Sequence, residues 1–407
     1  MSAHTPSTSA IAAPDRRLWP VMAVLTAATL WTVTAELLPS GLLPAMSRSL
    51  GVGESVTGML VSAWAITIAV VSIPLVRATL RMPRRLLLTT ALIAIAAMNL
   101  ITAFAPGFEL ALVGRMLTAT AHGLFWAVIP SYLATIVDPA RLGRALSIVL
   151  SGPTIAGLAA LPAAAVLSYM IGWRLVFAAL SAILAATAAG LWLVLPPRTE
   201  GETTSSRPGE TGHHERTRAW DRSAAGVLGV AVASGLVLVG HFAAFTYVTT
   251  LVTGFGGLTS TAIPAVLLVL GVTGAVGIAA SGFAADRFPR AAITATAALL
   301  AAGLGVTRLG ADIPAVFMAG VAIWGLAIGA FPPILQARVL RIASARFRSV
   351  AGSIVITVLN LGIAAGAAIG GVALGLGPSW VVSLALAAAV AGTTLLLVIP
   401  APPHEDD

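Results

Sequence analysis

The sequence predicts an all-α membrane protein with twelve transmembrane helices in two pseudo-symmetric six-helix bundles. The chain of 407 residues is 58% hydrophobic and only 9% charged, whereas charged residues make up about 25% of a soluble domain. Its apolar runs are about as long as the roughly 20 residues that a helix needs to cross a bilayer. Backbone groups in lipid must be paired within their own segment, so we expect each run to be a helix.

Twelve apolar runs, separated by polar breaks, divide the chain into two groups of six. The one long polar interruption, 196–222, is rich in Thr, Ser, Gly, Glu and Arg, a composition that cannot bury a core and indicates a flexible linker. The predicted domains are an N-terminal tail (1–18), a first bundle (19–195), this linker (196–222), a second bundle (223–399) and a C-terminal tail (400–407).

The arginines predict the orientation in the membrane. There is no lysine or cysteine, and all 23 basic residues are arginine. With the N-terminus inside, nineteen arginines fall at cytoplasmic ends of the runs and three fall outside, Arg48, Arg174 and Arg308. Cytoplasmic loops are enriched in basic residues. We therefore expect a multi-pass protein of the bacterial cytoplasmic membrane with both termini in the cytoplasm, and no nucleic-acid partner despite the net charge of +8.

Glu36 is the one acidic residue of fifteen that lies inside an apolar run. A charge near the bilayer centre costs about 3 kcal/mol or more, so an intramembrane carboxylate predicts a functional site. The alternative is a structural partner for a buried arginine or for backbone amides. Pro39 and Pro44 follow in the same run and are expected to kink the helix and to free one or two carbonyls near Glu36.

The two halves repeat weakly. Leu80-Arg81-Met82-Pro83-Arg84 matches Asp286-Arg287-Phe288-Pro289-Arg290 at an offset of 206 residues, and Arg144 matches Arg348 at an offset of 204. Two six-helix halves in parallel orientation, with a substrate site between them near the midplane, are a common transporter layout. His241 follows Glu36 by 205 residues, so we expect it at the equivalent place in the seventh span.

Four segments of the chain carry a resemblance to a known family. They are TAELLPSGLLPAMSRSLGV around Glu36, GRMLTATAHGLFW around Arg115, LSGPTIAGLAALP around Pro153, and GHFAAFTYVTTL around His241. The chain resembles the drug:proton antiporter branch of the major facilitator superfamily, with its sugar, purine, arabinose-type and chloramphenicol-type efflux transporters. The loop after span 2 departs from the family pattern, since Leu80 stands where an aspartate belongs, whereas Asp286, Arg287 and Arg290 keep the pattern in the second half.

The resemblance implies a secondary transporter that exports a small molecule, either a drug, a sugar or a nucleoside-like metabolite, by proton antiport with alternating access. A uniporter or proton symporter, or a non-transporting membrane receptor on the same fold, are the alternatives. We expect no enzymatic activity, no metal and no cofactor other than protons as the coupling ion. The expected partners are the substrate, protons and the lipid bilayer, with the chain a monomer.

We assign the candidate residues to three roles. Glu36 and Arg115 lie at similar depth and could pair, or Arg115 could hold helix ends and carbonyls together. His122 is seven residues further along the helix, about 10 Å deeper, and could relay protons or contact substrate. The proton-coupling set is Glu36, Arg115 and His122; the substrate-binding set is Glu36, His122, Trp126, His241, Phe242, Tyr247 and Asn360; the conformational set is Gly152, Pro153, Gly157, Asp286, Arg287 and Arg290.

Overall fold

The computed structural model describes residues 18–79, 82–138, 141–195, 223–344 and 347–399, and these residues form twelve membrane-spanning helices without a strand. The predicted linker and both predicted tails, apart from Leu18, lie outside this part of the chain. The helices, labelled by span, are α1 (Trp19–Leu50), α2 (Glu54–Thr79), α3 (Arg84–Ala103), α4 (Phe108–Ile136), α5 (Leu142–Ile171), α6 (Trp173–Val194), α7 (Ser223–Phe245, continued by α7b, Val248–Gly254), α8 (Ile263–Arg287), α9 (Ala292–Leu309), α10 (Pro314–Ile342), α11 (Arg348–Leu376) and α12 (Pro378–Val398).

Each group of six helices has its own hydrophobic core. The first is built around Leu25, Leu38 and Phe177, and the second around Val237, Trp324 and Phe331. Successive helices run in opposite directions, so the turns after the odd-numbered helices share one side of the bundle, which we call the distal face. The opposite side, where the described chain begins and ends, is the terminal face.

Helix α5 is broken in its middle, and a second helix covers the break. Pro153 has no N–H for the carbonyl four residues before it, that of Val149, and the Thr29 hydroxyl of α1 donates to this oxygen at 2.7 Å. The chain then widens into a π turn over Ala156–Ala160. Gly152 allows the approach of α1, because a Cβ there would come within 2.6 Å of the main-chain nitrogen of Leu30.

The two halves meet on the distal side. Ser55 on α2 donates to the Gly371 carbonyl of α11 at 2.7 Å, and Tyr169 on α5 donates to the Ser260 carbonyl at 2.8 Å. Thr250 on α7b donates to the Glu54 carboxylate. We call these contacts, made by Glu54, Ser55, Tyr169, Thr250, Ser260 and Gly371, the distal clasp.

The glycines of α8 and α11 make two kinds of contact. Some pack within the second half, and others meet the first half. Gly362 and Gly366 of α11 pack against the backbone of α7 within the same half. Gly271 of α8 instead lies against the backbone of Gly157 and Leu158 in the π turn of α5, across the boundary between the halves. Small residues permit such close approach of helices, and only the cross-half contacts must change when the halves move.

We expect Gly152→Ala to destabilise the fold and Gly157→Ala to be tolerated. The added methyl at 152 meets the α1 backbone, which cannot move aside, whereas a Cβ at Gly157 meets nothing within 4 Å. Overpacking of this kind costs about 1–3 kcal/mol, so the first variant should melt several degrees lower in detergent. Equal melting temperatures for the two variants would contradict the packing described for α1 and α5.

Candidate functional site

Arg115 pairs with a backbone carbonyl that a proline leaves open. Pro39 cannot supply the helical N–H for the carbonyl of Ala35, and Arg115 on α4 donates to that oxygen at 2.6 Å and to the Glu36 carbonyl at 3.0 Å. The guanidinium also lies over the ring of Trp64 on α2, 4.0 Å from its centroid. Arg115 is fully buried, so these contacts take the place of its hydration.

The geometry therefore favours the carbonyl-binding alternative for Arg115 over a side-chain ion pair with Glu36. The two residues lie at the same depth, as predicted, but the arginine holds the α1 backbone. Within the described part of the chain, the side chain in contact with the Glu36 carboxylate is His122, whose Nε2 lies 3.5 Å from Oε2. The arginine charge remains close to the carboxylate without binding it.

Glu36 lies at the boundary between the two halves. Its side chain is 25% exposed, and the next residue, Leu37, packs against the hydrophobic core of the second half. Helix α1 also contacts α7b of that half. Glu36 therefore lies on a helix that contacts both halves, next to a residue that packs against the second half.

Aromatic rings enclose His122. The ring of Trp64 meets it edge-on at 5.1 Å between centroids, and that of Trp126 lies at 6.0 Å. His122 Nδ1 and the indole N–H groups of Trp64 and Trp126 are buried without a hydrogen-bond partner. A buried polar group without a partner costs free energy, and three such groups lie around this one imidazole.

The second half repeats this arrangement with different chemistry. His241 on α7 occupies the place that the repeat predicts for it, and its Nδ1 accepts a hydrogen bond from the indole N–H of Trp324 on α10 at 2.8 Å. Its ring also packs on Phe245 and on Phe242. A carboxylate and an imidazole face each other between α1 and α4, whereas an imidazole and an indole do so between α7 and α10.

The remaining predicted substrate residues do not gather around Glu36. Phe242 is half-buried beside His241. Tyr247 is fully buried at the distal side, where its ring covers Gly58 of α2 and its hydroxyl donates to the Ala367 carbonyl at 2.9 Å. Asn360 donates to the Ile356 carbonyl of its own helix at 2.9 Å. The structure therefore joins Tyr247 to the contact between halves.

The conformational residues of the second half lie on the terminal face. Arg341 on α10 donates to the Asp286 carboxylate at 3.0 Å and to the Ala285 carbonyl at 2.6 Å, which ties α8 to α10 within one half. The Arg287 guanidinium lies over the ring of Phe288, 5.5 Å from its centroid. Arg290 lines a cavity nearby. Gly152, Pro153 and Gly157 form the α5 break described above.

Sequence reasoning missed the partners of the proline-freed carbonyls. Pro44 frees the carbonyl of Ser40, and Thr249 of α7b approaches it at 3.4 Å; Thr29 does the same for Pro153. A signal was available, because a proline inside a helix always leaves the carbonyl four residues earlier without its N–H. Which side chain donates a hydrogen bond to that carbonyl depends on tertiary packing.

The sequence profile of the Major Facilitator Superfamily matches residues 22–280, well over half of the chain. The chain belongs to the major facilitator superfamily. It is 31% identical over 357 residues to a chloramphenicol efflux pump of Mycobacterium tuberculosis, covering 86% of this chain and 84% of the pump. It is also 31% identical over 363 residues to a chloramphenicol resistance protein of Streptomyces lividans, covering 88% of this chain and 91% of that protein.

Other members of the superfamily match as well. A purine ribonucleoside efflux pump of Escherichia coli is 30% identical over 344 residues, with 84% of each chain covered. Among solved structures, a bacterial homologue of the human lysosomal transporter Spinster superposes with a TM-score of 0.74 at 17% identity, over 95% of this chain and 96% of that one. A peptide transporter superposes with a TM-score of 0.72 at 14% identity, over 93% of this chain and 94% of that one. The predicted fold is confirmed, and the protein is a multi-pass transporter of this superfamily.

We expect Pro39→Ala to offset part of the stability that is lost in Arg115→Met. Alanine at position 39 supplies the N–H that the Ala35 carbonyl lacks, so the oxygen no longer depends on the arginine. A double-mutant cycle of melting in detergent should give a coupling of about 1–2 kcal/mol between the two sites. Strict additivity of the two substitutions would contradict the role of Arg115 described here.

Proposed function

We propose that this protein exports a small molecule by proton antiport and that Glu36 carries the proton. The position of Glu36 supports this most directly: its carboxylate lies in the middle of a membrane-spanning helix, partly exposed between the halves and 3.5 Å from an imidazole. A carboxylate at that depth is costly when charged. The cost falls when the group takes up a proton or when water or a polar ligand reaches it.

His122, whose Nε2 lies 3.5 Å from the Glu36 carboxylate, relays its proton. Arg115 keeps α1 in place with its carbonyl contacts and holds a fixed positive charge beside the carboxylate. Loss or gain of the Glu36 proton therefore changes the balance of charge inside the first half without breaking its helix packing. Gly152, Pro153 and Gly157 give α5 a flexible break beside α1, where this half must adjust to the other.

The distal clasp determines from which side of the membrane substrate and protons can reach Glu36. Six residues join the halves on the distal side: Glu54, Ser55, Tyr169, Thr250, Ser260 and Gly371. These contacts support a state in which Glu36 is reached from the terminal face. With the terminal face in the cytoplasm, as the arginines predict, substrate enters while Glu36 is deprotonated. Opening of the clasp then admits a proton from outside, which displaces the substrate.

The aromatic groups favour a flat substrate with polar substituents. Trp64, His122 and Trp126 lie on one side of the boundary, and His241 and Phe242 on the other. The half-buried indole of Trp126 can stack on a planar ring, whereas the Trp64 face is covered by Arg115. The named relatives act on chloramphenicol and purine ribonucleosides, which agrees with a drug or nucleoside-like substrate. We propose a monomer of the bacterial cytoplasmic membrane with no cofactor except protons.

Glu36→Gln should abolish proton-coupled export and leave the protein folded. Glutamine keeps the shape of the side chain beside His122 but cannot release a proton. In proteoliposomes with a reconstituted pH gradient, uphill transport of a substrate identified by growth screening should fall at least about 100-fold, while exchange of substrate without a gradient continues. A 100-fold fall in rate corresponds to a transport barrier that is higher by about 2.7 kcal/mol.

Glu109→Gln is the matched control, because Glu109 is an exposed acid at the start of α4 and should leave export unchanged. Substrate added to vesicles should also produce a measurable internal pH change with the natural chain. Full coupling in Glu36→Gln would remove this residue from the mechanism. Transport without any pH change would favour the uniporter, and no transport would favour the receptor.

Gly58→Ala should shift the protein towards a state with an open distal side. A Cβ at Gly58 would come within 2.0 Å of the Tyr247 hydroxyl oxygen of the other half, so closure must displace the tyrosine ring. The chain has no cysteine, which allows spin labels on Val56→Cys and Thr253→Cys without background. Their distance distribution should move to longer values. Gly226→Ala, where a Cβ meets nothing within 4 Å, is the control, and identical distributions for both variants would contradict this assignment.

A further inference from the structure

A cavity that does not include Glu36 lies on the terminal face of the second half. It has a volume of about 380 Å³ and is formed by α7, the turn between α8 and α9, and the ends of α9, α10 and α12. Its walls combine two arginines with apolar side chains and a hydroxyl: Val230, Arg290, Thr294, Arg338, Leu396 and Ile399. The transport mechanism uses none of these groups except Arg290.

Arg338 has an unsatisfied donor in this cavity. Its Nε is buried and makes no hydrogen bond, although a guanidinium can donate five. Arg290 and Arg341 lie close enough to act on its charge. The Arg341 charge is offset by Asp286 at 3.0 Å. Like charges gathered around a buried donor are stabilised by an anion, and phosphate oxygens match the guanidinium geometry.

The position of the cavity indicates the source of this anion. Arg338 lies four residues before the end of α10, about 6 Å along the helix axis, and Ile399 follows the last residue of α12. Leu397, another wall residue, is 71% exposed and therefore faces hydrocarbon. The arginines thus lie at the depth of lipid head groups, beside a surface that acyl chains cover.

We propose that this cavity binds the phosphodiester of an anionic phospholipid from the leaflet at the terminal face. Basic pockets between membrane helices bind such head groups. Arg290 belongs to the turn that follows Asp286, and Arg338 precedes Arg341 by one helical turn. A phosphate that bridges the two arginines therefore joins the same elements, α8–α9 and α10, as the Asp286–Arg341 ion pair. The lipid strengthens the tie that holds α8 to α10.

The test uses the purified full-length protein after delipidation. Phosphatidylglycerol, phosphatidylcholine and inorganic phosphate are titrated separately, with native mass spectrometry and melting temperature as readouts. Phosphatidylglycerol should bind about tenfold more tightly than phosphatidylcholine and raise the melting temperature. Arg338→Gln should lower that affinity about tenfold, as expected for loss of a charged hydrogen bond. Arg338→Lys, which keeps the charge, should retain most of the binding.

Arg77→Gln is the matched control, because Arg77 is an exposed arginine in the last turn of α2 on the same face of the other half. It should not change the affinity. Arg290→Gln tests the opposite wall of the cavity if Arg338→Gln fails to fold. Equal affinity for the two lipids, or an equal loss in Arg77→Gln, would overturn the proposal. An equal melting shift with inorganic phosphate would assign the cavity to soluble anions instead of lipid.

Discussion

The contact between Arg115 and the Ala35 carbonyl is the constraint on which the first half depends. Pro39 removes an N–H from the middle of a helix in lipid, where no water can take its place. The arginine that replaces it must be buried, and Trp64 covers its other side. These requirements bring α1, α2 and α4 together at one depth, and Glu36 is held there as a result. The proline, the arginine and the carboxylate form one structural unit.

Side chains also bind carbonyls freed by prolines at the places where the halves must move. The carbonyl freed by Pro153 is bound by Thr29 within the first half, and the one freed by Pro44 is approached by Thr249 from the second half. The first interaction is internal and can persist through a conformational change. The second crosses the boundary and must break when the distal side opens. A carbonyl freed by a proline can therefore form a lasting hydrogen bond or a breakable one. Which of the two it forms depends on whether the partner side chain lies in the same half.

Much of the fold could be predicted from the sequence because bilayer thickness and backbone pairing leave few choices for long apolar runs. The length of each run and the internal repeat were enough to predict the twelve helices and the two halves. The position of Glu36 could be predicted for the same reason, since a charge in an apolar run is visible in the chain itself. Arg115 was also identified, and its carbonyl contact was one of two alternatives.

Other features depend on which side chains meet, and the sequence does not encode that in a local pattern. Tyr247 was expected in the substrate site because it lies in a matched motif, but Gly58 of another helix provides the space that draws it to the distal contact. The hydrogen bond of Trp324 to His241 joins residues 83 positions apart. Glycines recur every three residues in α8 and every four residues in α11, but these spacings do not show that Gly271 lies at the boundary between the halves while Gly362 and Gly366 pack within one half.

The asymmetry between the two halves has an electrical consequence. The α1–α4 pair contains a carboxylate, whereas the equivalent α7–α10 pair holds an imidazole whose Nδ1 is occupied by an indole. With Glu36 as the proton carrier, a cycle that exchanges one proton for one neutral molecule transfers a net positive charge into the cell. Such a pump is electrogenic and can draw on membrane voltage alone, about 2.3 kcal/mol per 100 mV. Export would then continue in an environment whose acidity equals that of the cytoplasm.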